Sequence, residues 1–434
     1  MSNNFVYEPL STEREASQHT EEITTKASEL TINRSSSTKV DIGSLYINSE
    51  VKDPQKENDG QNPYISYLIE TKSNDPIFAK SEFSIRRRFS DFVFLFQLLV
   101  NDYPTSAVPP LPDKKRLEYF KGDRFGSEFT AKRTASLNRF LKRLSLHPVL
   151  KRSKIYHIFI ESQDWNSYKQ NLKIRSDDSG VAADGGIITD VFINAFKTAN
   201  QQSKEFIAIK ERSDKLDENI NRIDKIFQKI LKRYGDLEQD YFDFSYQIKK
   251  ISQLEPELEL PFIKFSDGLN SLSLGFANLK NFLDNDYLIS LKDLEHYISS
   301  IKNLIKLKDQ KQIDYEALSE YLNRSIGDKE ALVHGGGTNF FTNKFEEMTG
   351  QNHDLNKREK IHKLENRIER LTKELENSKK VSENFEKQTL NEIQYFENIK
   401  SIELKDSLND LADNNIKFYK DLITKWSDIQ QSLG

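Results

Sequence analysis

The chain contains no cysteine. That removes disulfides, Cys-ligated zinc and thiol catalysis together, and it suits a reducing compartment. Long apolar runs are missing too: the most apolar stretch, Phe92 to Val100, is about half the length that a bilayer-spanning helix needs. Met1-Ser2-Asn3-Asn4 does not begin a basic region followed by an apolar one, so no secretory leader is expected. There is no Gly-x-Ser-x-Gly nucleophile turn, so Val333-His334-Gly335-Gly336-Gly337, similar to a lipase oxyanion loop, stands alone. No Gly-x-x-x-x-Gly-Lys-Ser/Thr phosphate loop occurs, and the seven histidines are scattered rather than spaced as metal ligands. The expectation is a protein that is not an enzyme and carries no cofactor or metal. With a net charge of only -4, any binding of a polyanion has to come from a local patch.

What is present is polar and aromatic at once. Mean hydropathy is -0.70, yet the chain holds 28 Phe and 17 Tyr, a combination that long amphipathic helices with narrow apolar seams explain. Residues 1–40 are rich in Ser, Thr, Glu and Asn and read as a disordered tail. Short β-type runs follow: Leu45-Tyr46-Ile47, Tyr64 to Ile69 and Glu82 to Ile85. They are separated by turn chemistry at Pro54, Asp59-Gly60 and Asn74-Asp75-Pro76. A helix over Ser90–Val100, capped by Ser90 or Asp91, precedes a Pro-rich loop from Pro104 to Pro112, and two more helices are expected around Ser127–Leu144 and Lys151–Ser162. A small sheet followed by helices is an α+β domain. Residues 164–188 read as a linker.

Beyond it, strand signals nearly vanish. Apolar residues recur at alternating spacings of 4 and 3 from Leu216 through Phe227, Tyr234 and Tyr241 to Ile251, which is a heptad seam. Pro256 and Pro261 break it; a second seam runs from Leu269 to Ile305, and a third starts at Ile361 after the Gly335–Gly337 run. Three helices of about 60–75 residues, each about 90–110 Å long, need an elongated bundle, with a partner to cover seam residues.

Chemistry concentrates in Arg86-Arg87-Arg88-Phe89-Ser90-Asp91-Phe92, then Pro109-Pro110-Leu111-Pro112-Asp113-Lys114, then Arg133. From Lys80 to Lys154 there are 17 Lys and Arg against 7 Asp and Glu, a surplus that suits an anionic partner. Nucleic acid is not expected, because no basic region runs into a heptad repeat and no RNA-binding signature occurs.

Those three elements, in that order, resemble the phox-homology (PX) domain, over about residues 41–163. The resemblance implies recognition of phosphatidylinositol 3-phosphate, with Arg88 on the 3-phosphate, the Phe89 ring under the inositol, Lys114 reaching the 1-phosphate and Arg133 bonding the 4- and 5-hydroxyls. A planar guanidinium suits such a task because it offers paired donors. The family often has Tyr where this chain has Phe89. Val108 and Leu111, in the loop before the lysine, are candidates for membrane insertion. The helical region, residues 189–434, resembles a BAR domain of the sorting nexin type. The fold class implied is therefore an α+β PX domain, a small antiparallel sheet plus helices, followed by an all-α elongated three-helix BAR coiled-coil bundle. Lys302, Lys306, Lys308, Lys311 and Arg324 are candidates for a basic face on it, and Ile187 to Ile193 for an inserting amphipathic segment.

Further strings, among them Leu117-Glu118-Tyr119, Lys121-Gly122-Asp123-Arg124-Phe125 and Phe140 to Pro148, are similar to the fungal sorting nexin-4 group, also called autophagy-related protein 24. That resemblance implies endosome-to-Golgi retrieval and selective autophagy, including cytoplasm-to-vacuole transport and organelle turnover. It implies a cytosolic protein, peripheral on endosomal and pre-autophagosomal membranes. Its partners would be another PX-BAR sorting nexin (heterodimer) or itself, with autophagy machinery and cargo. The alternative is a lipid-tethered coiled-coil scaffold without curvature activity.

Overall fold

Three strands form an antiparallel sheet in the order β1 (Ile47–Asn58), β2 (Pro63–Ser73), β3 (Glu82–Arg88). The computed structural model describes residues 45–58, 63–112, 125–178, 203–334 and 353–433. Alternation sets the two faces of the sheet: Ile47, Ser49 and Val51 are buried while Asn48 and Glu50 are exposed. Pro54, expected in a turn, lies inside β1 instead. The register shifts between Lys52 and Gln55, with Asp53 at φ 48, and an edge strand tolerates a proline at such a bulge because no ladder N–H is needed there.

Helix α1 (Phe89–Asp102) starts directly off β3 with Arg88 as its cap, two residues earlier than a cap at Ser90 would require. Asp91 sits in the first turn and accepts the Arg88 backbone N–H at 2.9 Å, the returning half of a capping box. Helix α2 (Ser127–Leu146) and helix α3 (Lys154–Glu161) close the domain. Phe92, Leu95, Leu99, Phe140 and Phe159 make a core with β2's Tyr67 and Ile69. The stretch expected as linker begins with a further helix, α4 (Trp165–Asp178). Trp165 is buried against Phe94 and Phe159, and Lys169 pairs with Asp91; the Gly- and Asp-rich composition that signals a linker starts only near the end of this helix.

The long helices are α5 (Lys204–Ser252), α6 (Glu259–Phe282), α7 (Leu288–Val333) and α8 (His353–Leu433). A π-helical turn, Leu283–Tyr287, joins α6 to α7 without a break, so the second seam belongs to one continuous rod. Lengths are unequal: α5 has 49 described residues and α8 has 81, or about 75 and 120 Å. The first seam packs on its own chain, with Phe227 on Tyr287 and Tyr241 stacked on Phe276. Close approach of α6 and α8 requires glycine: a Cβ on Gly275 would lie 2.5 Å from the Phe418 ring.

One face of α2 docks on these helices through charge. Lys132 reaches Asp284 in the π turn at 2.5 Å, Arg139 reaches Asp293 at 2.6 Å, and Arg143 makes a two-pronged pair with Glu403 at 2.7 and 2.9 Å. Burial works against the charge on Arg143, but Glu403, joined by Asp293 and Tyr297, outweighs it and the Arg143 pKa is raised. Beside them, the buried Glu392 accepts from the Ala107 N–H at 3.0 Å and from Ser106 at 3.1 Å. It also meets His147 Nε2 at 2.9 Å. Because His147 Nδ1 accepts the Leu150 N–H at 3.1 Å, the ring proton lies on Nε2 and is donated to Glu392. Much of the local basic surplus is therefore answered by acidic residues of the same chain.

Candidate functional site

The end of the sheet where β3 becomes α1 carries the predicted cradle. Strand alternation separates the three consecutive arginines. Arg87 points into the core, where its guanidinium bonds the Phe159 carbonyl at 2.9 Å and lies over the Phe159 and Trp165 rings; burial lowers its pKa to about 10. Arg86 and Arg88 take the other face. Arg86 is held by Asp53, through the side chain at 3.0 Å and the carbonyl at 2.7 Å, and by Ser66 at 2.9 Å. Arg88 lies over the Tyr64 ring, 3.5 Å from its centroid. So Arg86 and Arg87 are engaged within the fold, and Arg88 is the member of the run that lies at the Tyr64 ring.

Arg133 comes from the first turns of α2, 45 positions away in sequence, and arrives beside Arg88's neighbour. Its guanidinium lies over the Phe89 ring and over the Phe129 ring, 4.3 Å from each centroid. It also faces the Tyr67 hydroxyl, whose pKa is pushed up by burial and pulled back by Arg133. The fold thus brings Arg133 onto Phe89, the residue next to Arg88 in the chain. Lys114 lies outside the described residues, as do Leu117 to Arg124, Ile187 to Ile193 and the Gly335–Gly337 run. Two aromatic-backed guanidinium groups at one sheet end suit a phosphate- or polyol-bearing ligand, since such groups present forked donors while keeping a packed flank.

Two residues sequence reasoning missed complete the neighbourhood. Tyr64 supplies the ring under Arg88, and its hydroxyl donates to Glu57 at 2.7 Å. Glu57 also accepts from Ser66. Those bonds, Ser66 first, lower the Glu57 pKa against the opposing effect of burial, with Arg86 and Arg88 adding attraction. The signal for them is register: Glu57 pairs with Tyr64, and Ser66 with Arg88.

Val108 is only 4% exposed, inside the core of the domain, and Leu111 packs half-buried against that core. Glu392 anchors the neighbouring Ser106 and Ala107 of their loop. The basic-face candidates are also largely engaged. Lys302 pairs with Asp214 and Asp217, Lys311 with Asp314 and Arg324 with Glu320. Lys308 is buried over the Phe206 ring; Lys306 is exposed. A clearer stripe lies on α5. Lys225, Ile226, Lys229, Lys232 and Arg233 are all exposed, at the i, i+3/i+4, i+7 spacing of one helix face, away from seam residues such as Phe227 and Tyr234.

Comparison with known proteins decides the family. Residues 75–163 match the PX domain family. The chain is 44% identical to sorting nexin-4 of Saccharomyces cerevisiae over 397 residues, covering 88% of this chain and 93% of that protein. The chain belongs to the sorting nexin-4 family. Sorting nexin-4 of Candida glabrata is similarly alike, 43% identical over 92% of this chain and 96% of its own length. Among solved structures, the SNX-BAR Mvp1 tetramer, seen by cryo-EM, is similar in fold, with a TM-score of 0.58 over 88% of this chain and 99% of that one at 16% identity. The family is one of non-enzymatic trafficking proteins, so the chain is a membrane-associated sorting nexin of PX-BAR fold. As a sorting nexin with a PX domain the chain associates with membranes peripherally; among the described residues, no helix is long and apolar enough to cross one.

Proposed function

We propose that this protein reads phosphatidylinositol 3-phosphate through Arg88, Phe89 and Arg133, with Lys114 completing the site, and that it works as a dimer laid on the membrane. The observation that carries this reading is that Arg133 lies over the ring of Phe89, the residue that follows Arg88 where β3 becomes α1, while Lys132, Arg139 and Arg143 are engaged in docking. Arg88 grips the 3-phosphate, and Arg133 bonds the 4- and 5-hydroxyls, which leaves no space for phosphates there. In domain terms, the tail ends near residue 40, the PX module starts near 41 and runs through α4, and the dimerisation and curvature region lies within 189–434.

Dimerisation is supported by apolar side chains left uncovered at one end of the long helices. Phe242 and Tyr246 on α5, Leu260 and Leu274 on α6, and Tyr419 and Ile423 on α8 are all exposed; Tyr419 and Ile423 are 60% and 66% accessible, too apolar a face to leave in water. The occupant is another PX-BAR sorting nexin or a second copy. Two headgroup sites and the basic α5 stripe on one surface then multiply a weak single-site grip. The stripe favours a rod that touches acidic lipid over a scaffold hanging from the headgroup site alone. Family membership supports the cellular role: retrieval of cargo from endosomes to the Golgi and selective autophagy, from the cytosol onto endosomal and pre-autophagosomal membranes.

The test is vesicle binding by the full chain, on flat and small-diameter vesicles carrying phosphatidylinositol 3-phosphate, other phosphoinositides or phosphatidylserine alone. Wild type is expected to select the 3-phosphate, and Arg88→Ala to lose that selection with an unchanged melting temperature. Equal binding to every acidic lipid would overturn the reading.

A further inference from the structure

Arg88 reaches the sheet end with a long, rotatable side chain, and fixing such a side chain costs conformational entropy unless something already holds it. The neighbouring strands supply a holder. Tyr64 on β2 places its ring 3.5 Å from the Arg88 guanidinium carbon, close enough for the ring's negative face to attract the cation. Tyr64 is itself tied down: its hydroxyl donates to Glu57 Oε2 at 2.7 Å. The other Glu57 oxygen takes the Ser66 hydroxyl and lies 3.4 Å from Arg86 Nε. Arg86 in turn is clamped to Asp53 at the β1 bulge. The result is a ladder across three strands, Asp53–Arg86–Ser66–Glu57–Tyr64, whose last rung is an aromatic platform.

We infer that Tyr64 is a positioning residue for phosphoinositide recognition, an aromatic platform locked by Glu57 that presents the Arg88 guanidinium to the phosphate. This rests on the reading that Arg88 holds the 3-phosphate, and it adds a residue that touches no ligand atom itself. The ladder explains why Arg86, adjacent to the binding arginine by alternation, is spent on Asp53 and Ser66: it braces the carboxylate that braces the ring. It also explains why a carboxylate, Glu57, stands near an anion site. With hydroxyl donors from Tyr64 and Ser66 and the Arg86 guanidinium around it, its charge is engaged within the sheet.

Binding of dibutanoyl phosphatidylinositol 3-phosphate to the full chain, measured by titration calorimetry, tests this with four variants. Tyr64→Phe keeps the π face and loses only the hydroxyl hook, so its affinity is expected within about 3-fold of wild type. Tyr64→Leu keeps apolar bulk without a π face and is expected to bind about 5- to 10-fold more weakly, with a matching melting temperature. Arg88→Ala is expected to lose more than that, and Arg88→Ala combined with Tyr64→Leu to lose no more than Arg88→Ala alone. Tyr64→Leu binding as well as Tyr64→Phe, or losses that add in the double variant, would overturn the inference while the headgroup reading stands. Arg88→Ala binding like wild type would overturn both.

Discussion

Two stretches of the long helices share one sequence rhythm and meet opposite fates. Around the start of α7, Tyr297, Ile298, Ile301 and Ile305 are sealed between α5, α8 and the PX module. At the far end, Phe242, Leu274, Ile416, Tyr419 and Ile423 stand in solvent. The first stretch is finished by the chain itself: α2 brings Lys132, Arg139 and Arg143 to Asp284, Asp293 and Glu403, and the long helices close over the apolar seam. Within the described residues of this chain nothing covers the second. Apolar periodicity reports that a helix wants a neighbour, not whether that neighbour comes from the same chain. The covered stretch lies within one compact unit; in the proposed function the uncovered one takes a second molecule.

Three variants break or sharpen this contrast, in falling order of effect. Charging the open end with Tyr419→Asp and Ile423→Asp is expected to give a monomer by sedimentation. Vesicle affinity should drop about 100-fold through lost avidity, with affinity for short-chain lipid unchanged. Arg143→Ala attacks the closed stretch. It strands Glu403 against a buried face and removes the bond to the Asp293 carbonyl, so stability in urea should fall by about 3–5 kcal/mol. Val108→Ser probes the loop between the two: as a buried side chain it should cost about 1–3 kcal/mol of stability and leave vesicle binding almost unchanged, the reverse of what an inserting residue would do.

Legibility in the sequence follows whether an interaction is local. The Arg-Arg-Phe-Ser-Asp-Phe stretch could be read because β3 and α1 are contiguous there, and Arg133 because it opens a recognisable amphipathic helix. Heptad seams showed the long helices, and the π turn at Leu283–Tyr287 leaves only a faint trace, a step of eight rather than seven from Leu283 to Leu291. Tyr64 and Glu57 could not be read, since strand register alone brings them to Arg88 from 24 and 31 positions away. The docking charges were hidden for a similar reason. Lys132, Arg139 and Arg143 look like any basic helix face until Asp284, Asp293 and Glu403 arrive from 150 to 260 residues downstream. Helix α4 had a visible signal in Trp165 and Tyr168, two aromatics in a stretch otherwise polar enough to read as linker.

The contrast is sharpest at two adjacent residues on α2. Lys132 is 1% exposed and turned to Asp284 and Glu128; Arg133 is turned to Phe89. The decisive measurement compares Lys132→Met with Arg133→Met, in each case by melting temperature and by calorimetric affinity for dibutanoyl phosphatidylinositol 3-phosphate. Arg133→Met is expected to weaken lipid binding about 10-fold or more with the fold intact, and Lys132→Met to lower the melting temperature while keeping lipid affinity within about 2-fold. Lipid binding lost with Lys132→Met and kept with Arg133→Met would contradict the division of labour on which the account stands.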